Sequence, residues 1–352
     1  MVGEEDWQTQ RDQLLGHRIS DLGLAIRGTR VERLVQQLYD ELEAQGLRFR
    51  PPVYLSDQWG CPDGTPLIGV PFYLADPRLE RIEAEMTLSV EDDAEAMRYL
   101  RHEAGHAFNY AFRFYERADW QQTFGSIGLP YRERYRANPF SREHVRHILA
   151  WYAQKHPDED FAETFAVWLS PGLDWRRDYA EWPALTKLEY VDSIMREIAD
   201  AGDMELPSPA DDDLPVEAMR YSVAQHYEDE REVVPIEDER QFDADLKQIF
   251  ARTEEAPSAE PANVFLRRHY REIVTRVSFW TSENPSVVRS LIDVLQRRAE
   301  TLGLRVGALE AATLIELTAF ATAVVMLHRH THVIGRARTS VPRRPRAAKV
   351  AS

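Results

Sequence analysis

The 352-residue sequence predicts an α+β fold, with a small antiparallel sheet, two helices that carry the chemistry and a C-terminal helical extension. Three observations predict it. Apolar residues recur at helical spacing over most of the chain. Two short runs of β character flank one Pro/Gly turn near residue 60. Two helical stretches, "RHEAGHAF" at 101–108 and "HPDEDFAETFAVW" at 156–168, set imidazoles and carboxylates into an otherwise apolar pattern.

Composition narrows the classes. Hydrophobic residues make up 43% of the chain, enough for a real core in one large domain or two. A formal net charge of -16 disfavours a nucleic-acid partner, which needs a basic face. The single cysteine, Cys61, rules out an intrachain disulfide and any cysteine-based zinc site. It reads as a bystander in a turn. The N-terminal "MVGEEDWQTQRDQ" is acidic and polar, unlike a secretory signal. The most apolar run, Thr313–His328, is too short to span a bilayer and carries Glu316, so it reads as a buried core helix. The expectation is a soluble, cytoplasmic chain without membrane contact.

The elements follow in order. Residues 1–45 form an N-terminal helical segment, with Val31, Leu34, Val35, Leu38 and Leu42 on one face and Gly46 at its end. A domain over 46–202 begins with "LRFRPPVYLSD" and "LIGVPFYLAD" around the turn "WGCPDGTP". Pro51, Pro52 and Pro71 make these edge strands, and "EMTLSV" adds a further strand. A long helix follows, with Ser89 as N-cap and Met97, Leu100, Ala104, Ala107, Phe108 and Ala111 facing the core. After a loop with Gly125, Gly128, Pro130 and Pro139, "SREHVRHILAWYAQ" reads as a helix. The next helix has Pro157 at its first position and Pro171 just past its end, with Phe161, Phe165, Trp168 and Leu169 as its core stripe. Residues 203–262 are an acidic, Pro-rich linker, 263–335 a helical extension, and 336–352 a basic tail that reads as disordered.

His102 and His106 stand at i and i+4, so both imidazoles converge on one helix face. Neutral imidazole is a favoured zinc ligand. Glu103 is about one hundred degrees round the helix, placed for the metal-bound water rather than the metal. There it takes the proton of that water and passes it to a leaving amine. The bland alternative is a helix surface that happens to carry these residues. Gly105 inside the helix costs roughly 1 kcal/mol against alanine, which fits a position that something must approach closely.

A catalytic zinc takes three protein ligands and leaves a fourth position for water. The residues after His106 read "AFNYAF", so no third histidine follows at close spacing. A carboxylate from the second helix remains. Glu159 and Glu163 share one face, and two carboxylates on an apolar helix are costly to bury unless paired or bound to metal. The natural division puts Glu159 on zinc and Glu163 behind a ligand histidine, accepting its free N–H. Asp160 and Glu163 stay as rival ligands, Asp160 pointing away from Glu163. A solvated acidic face that favours the helix dipole is the other reading of 158–160.

"RHEAGHAF" followed by "HPDEDFAETFAVWLSP" resembles a bacterial family of zinc-binding metallopeptidases and, more distantly, the catalytic domain of anthrax lethal factor. Flanking "VPFYLADPRL", "WYAQKHPDEDFAETFA" and "WPALTKLEYVDSIM" fit the bacterial family, so the resemblance spans roughly residues 45–200. It implies a zincin-like (gluzincin) fold holding one zinc per chain on His102, His106 and Glu159. Glu103 of the HExxH motif is then the catalytic base, and Glu163 the outer carboxylate. It also implies a tyrosine upstream of the ligand glutamate that holds the oxyanion. Tyr152 fits that place, and Tyr110 is a second candidate.

The function expected is hydrolysis of a peptide bond in a peptide or protein substrate, which would lie along the edge "LIGVPFYL". A metal-stabilised binding module without turnover is the alternative. The extension is compatible with a protein partner. His144 and His147 read as a solvated helix face, His156 as a cap with an open role toward substrate, and "HRHTH" at 328–332 as a polar helix end.

Overall fold

Two helices open the chain in this computed structural model, α1 (Glu4–Gly16) and α2 (Arg30–Ala44). On α2 the predicted stripe of Val31, Leu34, Val35, Leu38 and Leu42 is buried throughout. The structure describes residues 4–87, 90–131, 135, 137–199, 215–229, 236, 238–254, 256–281, 283–307 and 309–331. These fall into two units, 1–232 and 233–352.

The first unit's strands, β1 (Val53–Ser56) and β2 (Ile68–Pro71), are parallel, in register Val53↔Ile68 through Ser56↔Pro71. The antiparallel sheet expected from the Pro/Gly turn is therefore corrected. The turn does reverse the chain, but it lays only Gly60 antiparallel to β2, opposite Gly69. Residues 57–67 then serve as the crossover that parallel pairing requires. With β1 on one side and Gly60 on the other, and all four of its residues buried, β2 is no free edge for a substrate strand.

Helix α3 (Pro77–Met86) starts at Asp76, whose side chain accepts from Arg78 N. It occupies Glu85 and Met86, where a further strand was expected; Leu88 and Ser89 lie outside the described residues. The cap of α4 (Asp93–Ala111) is Asp92 rather than Ser89. Its carboxylate accepts from Glu95 N while Glu95 accepts from Asp92 N, a reciprocal capping box. After the short helix α5 (Ala118–Phe124) comes α6 (Pro157–Leu169), on which every residue is buried.

Residues 141–148 are not helical, and Leu149–Gln154 form a 3₁₀ turn with Trp151 at φ 55°. The expected helix is lost because side chains take its amides. His147 N and Ile148 N donate to Glu163 Oε2, and Arg146 N donates to the Tyr179 hydroxyl.

Three contacts fix α4 against α6, α2 and the segment before β1. The Phe108 ring lies 5.1 Å from those of Phe49 and Phe165, one edge-on and one stacked. Arg101 makes a bidentate ion pair with Glu41 of α2, both bonds 2.7 Å. Gly105 faces the α6 backbone so closely that a Cβ there would stand 2.7 Å from Ala162 Cα. The glycine is the close-approach residue its position in the helix predicts.

Helices α7 (Trp175–Asp178), α8 (Ala184–Glu197) and α9 (Val223–Asp229) complete the unit. Within the stretch read as linker, residues 203–214, 230–235, 237 and 255 lie outside the described residues. Val216, Met219, Val223 and Tyr227 are buried in this unit's core, because apolar residues resume once the acidic run ends.

The second unit contains α10 (Asp243–Ile249), β3 (Ala251–Arg252), α11 (Ala262–Arg268), α12 (Tyr270–Thr281), α13 (Pro285–Thr301), β4 (Leu304–Arg305) and α14 (Glu310–Thr331). Strands β3 and β4 pair antiparallel. Helix α14 corrects the expectation of a buried core helix that is too short to span. It continues past the apolar run at both ends, and Glu310–His328 is long and apolar enough to cross a membrane by length and composition, at mean hydropathy 1.6. Among its residues of described burial only the stripe Thr313, Leu317, Ala321 and Val325 is buried, while Ile315, Met326 and Leu327 are exposed. His332 and the basic tail lie outside the described residues.

Candidate metal centre

Helix α4 brings His102 and His106 to its buried face, and α6 brings Glu159 opposite them. Three atoms converge. His102 Nε2 lies 3.0 Å from Glu159 Oε2, His106 Nε2 lies 3.1 Å from the same oxygen, and the two nitrogens are 3.1 Å apart. Donor atoms around a tetrahedral zinc with bonds of about 2.0–2.1 Å stand roughly 3.3 Å apart, so the triangle has the right size.

Chemistry agrees with size. His102 Nδ1 donates to Glu163 Oε1 at 2.9 Å, which leaves its Nε2 a lone pair. His106 Nδ1 faces Asp158 Oδ2 at 3.1 Å, off the line of a good hydrogen bond. With a carboxylate at each Nδ1, two imidazole lone pairs and a carboxylate oxygen point at one another. Such a donor set suits a cation at its centre. The same surroundings draw positive charge. Burial opposes the imidazolium of His102, yet the hydrogen bonds it donates to Glu159 and Glu163 outweigh it and lift the group to about 9. His106 rises for the same reasons, through Asp158 and Glu159. Burial pushes Glu159 up, but the two imidazoles hold it well below the usual carboxylate range. The residues present fit a zinc ion.

The outer carboxylates are anchored. Glu163 is fully buried and spends its other oxygen on the amides of His147 and Ile148. Asp158 accepts from Asn109 Nδ2 at 2.7 Å and from the Tyr110 hydroxyl at 2.6 Å. Tyr110 also stacks on His106, with ring centroids 6.1 Å apart. Its proton is committed to Asp158, so it supports a histidine rather than an oxyanion. Asp160, the rival ligand, is turned away and bonds Lys187 Nζ at 2.6 Å. The solvated acidic face does not form, since Asp158, Glu159, Asp160 and Glu163 are all buried.

Glu103 is buried beside the triangle, lines the adjoining cavity and has no hydrogen-bond donor on it among the described residues. Burial raises its pKa, and the two histidines pull the other way. Tyr152 also lines the cavity, its ring 5.6 Å from that of His102 and its hydroxyl 3.3 Å from both Lys155 Nζ and the Tyr131 hydroxyl. Tyr131 donates to Glu159 Oε1.

His156 is the α6 cap expected of it, accepting from Asp158 N and bonding Leu129 O. His144 and His147 are partly buried rather than on a solvated helix face, and burial lowers both to about 4. His147 Nε2 bonds Arg98 O at 2.9 Å.

Sequence reasoning missed Asp158 and Tyr131. A dipole explanation was available for Asp158, although its place directly before the ligand glutamate was a usable signal. Tyr131 stands alone in a loop and carries no motif.

Residues 79–174 match the model of a family described as "putative zinc-binding metallo-peptidase". The match spans both site helices and every residue of the triangle. No curated protein and no solved structure matches the chain, so the likeness to lethal factor is not shown.

Proposed function

We propose that this chain is a zinc-dependent hydrolase that cleaves peptide bonds. The family match over the site helices and the buried His102, His106 and Glu159 group support zinc. The observation that carries the hydrolase reading is Glu103. A carboxylate at the cavity wall, next to the triangle yet outside it and not engaged by any described donor, is suited to moving a proton.

A zinc ion bound by the triangle supplies a Lewis acid and lowers the pKa of a coordinated water. The chain's own residues do the rest. Glu103 takes a proton at its carboxylate, helped by burial that favours its protonated form, and returns it to the departing amine. Tyr152 lines the cavity and would turn its hydroxyl from the Tyr131 oxygen, 3.3 Å away, to a developing oxyanion, while Lys155 Nζ at 3.3 Å donates to that hydroxyl. Glu163 and Asp158 hold the two imidazoles in position.

The test is hydrolysis of an internally quenched peptide mixture by the zinc-loaded chain and by Glu103→Gln. Cleavage by the wild type with a loss of about 10³-fold in the variant, at unchanged zinc content, is expected. Zinc binding without cleavage of any peptide would replace this reading with a metal-stabilised binding module.

A further inference from the structure

The cavity beside the triangle has a volume of about 630 Å³, and among the described residues that line it there is no lysine or arginine. Four acidic residues do line it. Asp158 and Glu159 are engaged by the histidines and Glu103 sits at the reacting end, which leaves Asp63. Asp63 comes from the turn "WGCPDGTP", which lines the cavity through Trp59, Gly60, Cys61, Asp63 and Gly64, and it is exposed. Tyr110 lies 3.4 Å from Asp63 Oδ1 but 2.6 Å from Asp158 Oδ2, and a phenol has one proton to give. No cation meets Asp63 among the described residues, so its charge faces the cavity.

Aromatic rings line the way to it. Tyr110 and Tyr115 meet edge to face at 6.2 Å. Trp59 is held by stacking on Tyr99 at 5.6 Å and by its Nε1–H bond to Glu91 at 3.0 Å. Rings of this kind pack the methylene stem of a long cationic side chain and attract its charged end.

We propose that this cavity selects a peptide with a lysine or arginine side chain, its cation held by Asp63 and its stem lying against Trp59, Tyr110 and Tyr115. The proposal rests on the peptidase reading for its substrate, but its test reads binding. Alanine hexapeptides with lysine, norleucine or glutamate at each position in turn are titrated calorimetrically into the zinc-loaded full chain carrying Glu103→Gln. The same titrations are made with Asp63→Asn and Asp63→Glu added, after matched thermal midpoints show that the variants fold.

Lysine at one position is expected to tighten binding about tenfold over norleucine, with glutamate weakest and the preference shrinking at high salt. Asp63→Asn should bring lysine and norleucine within about twofold, and Asp63→Glu should restore most of the gap. Equal affinities at every position, a preference that survives Asp63→Asn, or no binding by any peptide would each overturn the proposal. Cleavage by the wild-type chain separates the two claims. Lysine preference without cleavage sinks the peptidase reading alone, and cleavage without that preference sinks this one alone.

Discussion

Replacing Gly105 by alanine should weaken the joint between α4 and α6 although alanine is the better helix former. The propensity change alone favours the variant by about 1 kcal/mol. The new Cβ, however, would stand 2.7 Å from Ala162 Cα, 2.9 Å from its oxygen and 3.2 Å from its carbonyl carbon. Ordinary contact begins near 3.4 Å, so the worst shortfall is 3.4 − 2.7, or about 0.7 Å. All three atoms are backbone, and no rotamer change relieves them. Overpacking of this kind costs about 1–3 kcal/mol, and a clash with three backbone atoms belongs at the upper end, so a net loss of about 2 kcal/mol remains after the propensity gain. For a unit of this size that lowers the melting temperature by roughly 4–8 °C. Zinc affinity should fall with it, by about tenfold, since His102 and His106 ride on one helix and Glu159 on the other. Thermal unfolding and a competitive zinc titration read both effects. An alanine variant as stable as the wild type with unchanged zinc affinity would refute the close approach and the geometry built on it.

Other perturbations separate the roles. Glu163→Gln and Asp158→Asn should each weaken zinc about 10–100-fold in the same titration, because each frees one ligand imidazole. Chelation should lower the melting temperature of the wild type, consistent with about 2.7 kcal/mol of linkage at a hundredfold excess over Kd, and should leave His102→Ala unmoved. Arg101→Met should destabilise the chain by about 3 kcal/mol in chemical denaturation because Glu41 stays largely buried without its partner, and adding Glu41→Gln should recover part of the loss. Tyr152→Phe should reduce kcat for peptide hydrolysis about 10²-fold with little change in KM, as expected of a donor that acts in the transition state.

The site helices were legible because their residues sit at helical intervals, and those intervals survive folding. His102, His106, Glu159 and Glu163 needed only the 3.6-residue repeat to be placed on facing sides, and Gly105 announced the close approach by its cost in a helix. What the sequence hid depends on partners far along the chain. The amides of His147 and Ile148 are claimed by Glu163, some fifteen residues later, and no local propensity records that. The parallel pairing of β1 and β2 follows from which edge of β2 each segment joins, while the turn alone argues for a hairpin. The exposure of α14 reflects how much neighbouring surface meets it, which hydropathy does not encode. Asp158 was masked by a sufficient local explanation, the helix dipole.

The most direct test of the metal centre is zinc content by plasma mass spectrometry on purified wild type, Glu103→Gln, His102→Ala and Glu159→Ala. The geometry predicts about one zinc per chain in the first two, none in His102→Ala and a marked loss in Glu159→Ala. A wild-type chain that carries no zinc and takes up none when it is supplied would contradict the account at its root.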